Sequence, residues 1–199
     1  MCPYGGGTAF RRTGDGLNVL VLLLGMLVIL SVSGGAGGGG ALLWHAALTA
    51  ACICFSCWVR GQGGMVVPLA LVAAGLVGVL AIQMRQAPAV PDGRAGMRLA
   101  GGLVCVAVLA QVIVSEGAAD VMVRLMGLVG LSAIVCGVWA ACVTRGVVAL
   151  CAGLACAVDG MMLLGAQADS IPVIIEALVV AAGLNWVMAD LFRDGGGQP

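Results

Sequence analysis

The stretch "MVVPLALVAAGLVGVLAIQM", residues 65–84, decides the fold. It has no charged residue and no alternation of apolar with polar positions. A helix rises 1.5 Å per residue, so a run of this length spans about 30 Å, the thickness of bilayer hydrocarbon. Inside hydrocarbon the backbone must satisfy its own hydrogen bonds, which leaves helices or a closed barrel. Continuous apolar runs without period-two alternation exclude the barrel. Pro68 falls in the first turn, where a missing N–H costs little.

Working outward from this run, the same signal recurs. The sequence predicts helices at about 17–33, 41–58, 65–84, 99–115, 121–143, 147–166 and 171–192. The chain is 62% hydrophobic and only 9% charged, whereas soluble domains carry about 25% charged residues. The expected fold is all-α, a polytopic membrane helix bundle of about seven transmembrane helices. It forms one integral membrane domain over residues 1–199, because the longest connector, 85–98, is too short to build a core. The Gly-rich start and "GGAGGGG" at 34–40 read as irregular, flexible segments. Arg11 and Arg12 before an apolar core resemble a signal peptide, a reading set aside because the apolar pattern resumes at once. Ser170 and Pro172 mark the start of the last helix as N-cap and first-turn proline.

Charge narrows the function classes. Formal net charge is zero, so there is no electrostatic footprint for nucleic acid. All nine basic residues are Arg, which removes lysine chemistry. Arg85, Arg94, Arg98, Arg145 and Arg193 fall on one side of the membrane and the other four Arg on the opposite side. The positive-inside rule then favours an outer N-terminus and a cytoplasmic C-terminus.

A charged residue inside a span costs roughly 2.5–3.5 kcal/mol on insertion scales, so each is a candidate functional site. Two stand out: Asp159 in the sixth helix and Glu176 in "SIPVIIEALVVAAGLNW", residues 170–186. An antiparallel hairpin sets them at similar depth, facing each other or lining one polar path. Low dielectric penalises the charged form of a carboxyl group, so such a pair suits a proton-relay position. A purely structural role, each acid hydrogen-bonded to backbone or to Asn185, is the competing reading. His45, Asn185 and Asp190 are candidates for the same polar path, and Gln111 for interhelical hydrogen bonding. His45 reads equally well as a packed or interfacial residue, and Asp190 as interfacial.

Nine cysteines read mostly as small hydrophobes within apolar runs. "CFSC" places Cys54 and Cys57 at thiol–disulfide spacing near the end of the second helix, but no second pair of that spacing accompanies them. No Walker, dinucleotide-binding or zinc-protease motif is present, and a single His excludes a bis-His haem site within the chain. No catalytic residue, metal or cofactor is expected on this chain.

The segment "TRGVVALCAGLACAVDGMMLLGAQADSIPVIIEALVVAAG", residues 144–183, resembles the C-terminal part of the hydrogenase-4 component E family. That family comprises membrane subunits of group 4 hydrogenase and formate hydrogenlyase-type complexes, and this part of it is similar to the K-type subunit of complex I. Arg145 stands at the family's basic connector, Asp159-Gly160 at its Glu-Asn-Gly, Pro172 at its proline and Glu176 at its second glutamate. "MVVPLAL", residues 65–71, resembles a further family segment. The chain departs from the pattern in having Asp159 for Glu, no intervening Asn, and Gly63 and Gly64 where a Lys precedes the proline segment. These departures put a complete proton path in doubt. The resemblance implies a non-catalytic subunit of a hydrogenase or complex I-like assembly in a bacterial inner (plasma) membrane. Its partners would be other membrane subunits and the lipid bilayer, and Asp159 and Glu176 would contribute to proton or ion translocation. The rival readings are a small-solute carrier or exporter, a membrane thiol oxidoreductase using Cys54 and Cys57, and a scaffold without transport.

Overall fold

A computed structural model describes residues 7–33, 39–61, 64–86, 93–115 and 121–195. Seven helices follow in order: α1 Gly7–Ser33, α2 Gly39–Arg60, α3 Val66–Arg85, α4 Ala95–Ser115, α5 Val121–Val143, α6 Val147–Gln167 and α7 Ile171–Gly195. Six of them, α2 to α7, are long and apolar enough to cross a membrane, and α1 contains a shorter apolar stretch, Val21–Val32. The chain is a multi-pass α-helical membrane protein. Of the irregular segment expected at residues 1–16, residues 7–16 are instead helical, the first turns of α1. Residues 1–6, most of the Gly-rich connector, residues 62–63 and 87–92, the turn at 116–120 and the last four residues lie outside the described residues.

The helices match the apolar runs but overshoot several of them. α1 begins ten residues before the expected 17, and α4 four residues before the expected 99. Apolar periodicity marks the part of a helix that sits in hydrocarbon, whereas backbone hydrogen bonding continues into the polar zone beyond it.

Two of the turns are closed by local chemistry. α2 ends at Gly61, whose φ of 64° is in the left-handed region open to glycine. Between α6 and α7, Asp169 takes φ 50°, and the Ser170 N–H donates to the Gly165 carbonyl at 2.9 Å. That six-to-one bond is the Schellman closure, here with Asp rather than Gly at the left-handed position. Ser170 then directly precedes α7, as the sequence predicts.

α6 is the hub, packing against α2, α3, α5 and α7. α5 and α6 approach most closely at paired glycines. A Cβ on Gly153 would stand 2.6 Å from the Gly137 carbonyl oxygen, and one on Gly160 would stand 2.5 Å from that of Gly130. Helices associate in lipid through such close backbone approach. The packing fixes the rotation of α6 about its axis, and with it the direction of Asp159. On one membrane face, Arg60 donates to the Gln167 carbonyl at 3.1 Å and Gln167 donates to the Val123 carbonyl at 2.9 Å. This clamp levels the end of α2 with the end of α6 and the start of α5.

Candidate functional site: a buried Ser31–His45–Asp159 chain

The buried face of α2 carries Leu42, His45, Ala46, Thr49, Cys52, Ile53, Ser56 and Cys57. These positions recur at three and four residues, one stripe of a helix, so His45 and Thr49 point into the bundle together with the apolar core. Asp159 is the thirteenth residue of α6, about 18 Å from its start and 12 Å from its end. Ser31 lies near the end of α1. Each of the three, Ser31, His45 and Asp159, is only 1% exposed.

Three helices bring them into one chain of hydrogen bonds. His45 Nδ1 lies 2.7 Å from Asp159 Oδ2, and His45 Nε2 lies 2.8 Å from Ser31 Oγ. The Ser31 hydroxyl has a second acceptor within reach, the Leu27 carbonyl at 2.8 Å. The chain is satisfied at two proton counts. In the first, Nδ1–H donates to the Asp159 carboxylate and Nε2 accepts the Ser31 hydroxyl. With one more proton, the hydroxyl turns to the Leu27 carbonyl, Nε2–H donates to Ser31 Oγ, and the added proton is shared between Nδ1 and Oδ2. No heavy atom has to move between the two.

Two buried oxygens beside the chain have no partner: Asp159 Oδ1 and Thr49 Oγ1. A buried polar group without a partner costs about 1–3 kcal/mol, which ordered water normally recovers. On the α1-end side of His45 lies a cavity of about 10 Å³ lined by Leu30, Ala41, Leu42, His45, Ala152 and Cys156. It is the size of a single water and far below that of a small-molecule pocket. Among the described residues no group of three His, Cys, Asp or Glu side chains converges on a metal-sized centre.

The other sequence candidates fall elsewhere. By helix length Glu176 sits about 8 Å into α7, close to the depth of Asp159. The two carboxylates nevertheless do not meet. α7 buries Ile174, Ala177, Ala181 and Met188, which turns Glu176 outward among Ile175, Val179 and Val180. Asn185 does not reach Asp159 either. It donates to the Leu76 carbonyl of α3 and to the Ala181 carbonyl, both at 2.9 Å. Asp190 is exposed near the end of α7. Gln111 is exposed on α4, and the amides that tie helices together are those of Gln167 and Asn185. Cys54 is half-buried and Cys57 buried, and both are free thiols.

Sequence reasoning named His45 and Asp159 separately and missed Ser31 and Thr49. The one usable signal was that the sole His and a mid-helix Asp share a chain that otherwise avoids charge within its spans. Nothing distinguishes Ser31 in "ILSVS" from a packing residue. Comparison with protein-family models, with curated proteins and with solved structures finds no match to this chain.

Proposed function

We propose that the chain is a membrane subunit that holds and passes a proton through Ser31, His45 and Asp159. The supporting observation is the continuous buried hydrogen-bond chain, satisfied at two proton counts. Intramembrane ionisable residues that pair with one another commonly mark proton relays. The adjoining cavity admits a water but no solute, which supports a proton over a carried metabolite. Glu176 stands outside this relay, because nothing among the described residues connects it to His45 or Asp159. The wider setting, a non-catalytic subunit of a hydrogenase or complex I-like assembly in a bacterial plasma membrane, is supported only by the order Arg145, Asp159-Gly160, Pro172 and Glu176.

The test is proton flux into vesicles reconstituted with the protein at equal density, using the whole assembly where the chain co-purifies with one. Asp159→Asn and His45→Gln should abolish flux, and Ser31→Ala should reduce it strongly. Wild-type flux in Asp159→Asn would leave the chain a structural contact. Serine, histidine and aspartate in this order also match the geometry of a nucleophilic triad. Ser31 is closed off from any ester-sized space, however, and the hydrolase reading requires that a fluorophosphonate label Ser31.

A further inference from the structure

Among the described residues, two charged side chains near the start of their spans make no ion pair. Glu176 points outward from α7, and Arg124 of α5 is half-buried with an unpartnered Nε. α5 and α7 both start at the face clamped by Gln167. Arg124 is three residues into α5 and Glu176 five into α7, about 5 and 8 Å in depth. An Arg side chain covers that difference. Within one chain α6 packs between the two helices, so the charges belong to different faces of the bundle.

A second pair of features has the same spacing. Ten residues beyond Glu176, Trp186 is 77% exposed, more than any other large apolar side chain described. Ten residues beyond Arg124 begins an apolar cleft of about 290 Å³, lined by Ile134, Val135, Val138 and Trp139 of α5 with Cys105 of α4. α5 and α7 run parallel, so a spacing of ten residues carries both pairs through the same rise of about 15 Å. Placed beside α5 of a neighbouring copy, α7 brings Glu176 to the depth of Arg124 and the Trp186 indole to the depth of the cleft.

We infer that this chain self-associates head to tail in the membrane: α7 of one copy docks on the α4–α5 face of the next through a Glu176–Arg124 ion pair and Trp186 in the apolar cleft. Rotation about the membrane normal preserves depth, so every copy presents both halves of the contact, and such heterologous contacts close into a ring or extend into a row. A carboxylate facing lipid is costly, and pairing with a cation at its own depth removes that cost. The inference does not depend on the proton chain.

The experiment counts copies by single-molecule photobleaching of tagged protein in polymer-excised membrane discs. Wild type should show several copies per disc. Glu176→Arg alone and Arg124→Glu alone should each lower the multi-copy fraction at least tenfold. Co-expressing the two single variants should restore it, because each then supplies the charge the other needs. Trp186→Ala, which leaves the charges intact, should lower the fraction severalfold. Helical circular dichroism and an unchanged total yield of protein in discs establish that each variant folds. Single copies in wild type, unchanged association in the single variants, or no restoration on co-expression would each overturn the inference. The last result would mean that the charges serve another protein.

Discussion

Asp159 and Glu176 are two carboxylates at similar depths on consecutive helices, yet they occupy opposite environments. α6 is held on four sides, and its glycine contacts with α5 turn Asp159 onto His45. Among the described residues α7 packs chiefly on α3 and α6, and Glu176 falls on the side turned away from both. The difference teaches that depth in a membrane does not set the role of an acid. A buried carboxyl group is defined by the partner its own chain supplies. An outward one is defined by whatever lies beyond the chain. The two should therefore respond differently to the same kind of substitution.

The largest effect should come from removing the partner of the buried acid. His45→Ala strands Asp159 in the interior, and breaking a buried pair from one side costs about 3–5 kcal/mol. Thermal unfolding in detergent, or abundance in the membrane, should register a loss of that order. A stable His45→Ala protein would mean that Asp159 does not depend on the pair. Next comes the packing that aims Asp159. Gly137→Val places side-chain atoms against the Gly153 carbonyl and the Ala157 backbone, and overpacking costs about 1–3 kcal/mol. Its unfolding should shift accordingly, and proton flux should fall with it because α6 must move. Full flux in a destabilised Gly137→Val protein would separate the helix contact from the site.

Smaller effects sharpen the contrast. Asp159→Asn keeps an acceptor for Nδ1–H, so stability should change by about 1 kcal/mol while flux is lost. Asn185→Leu removes the bond from α7 to the Leu76 carbonyl. Interhelical hydrogen bonds in bilayers average about 0.6 kcal/mol, and the unfolding shift should be of that size with flux retained. Smallest of all, Glu176→Gln should leave the stability of a single copy within about 0.5 kcal/mol, as exposed substitutions do. A large loss in isolated copies would place Glu176 in an intrachain contact after all.

Much of this molecule was legible before any coordinates. Hydrocarbon thickness and the need for every backbone group to be bonded turn apolar runs of about twenty residues into helices, whatever the rest of the chain does. The expected seven helices are therefore present, and the ends of α3, α5 and α6 fall within a residue or so of the runs that predict them. The identity of the costly residues was legible as well, because His45, Asp159 and Glu176 interrupt apolar sequence. Their relations were not. Which face of a helix turns inward depends on contacts with other helices, and α2, α5, α6 and α7 carry small and apolar residues on nearly every side. With so little amphipathic contrast, periodicity cannot choose a face. Glycines brought together by tertiary packing, Gly130 with Gly160 and Gly137 with Gly153, made that choice. The sequence by itself determined that there would be helices in a membrane and which residues would be expensive there. Only the tertiary structure decided that Asp159 would find His45, 114 positions away, and that Glu176 would face outward. Close packing between backbones fixes rotation about a helix axis, and a uniformly apolar sequence does not encode it.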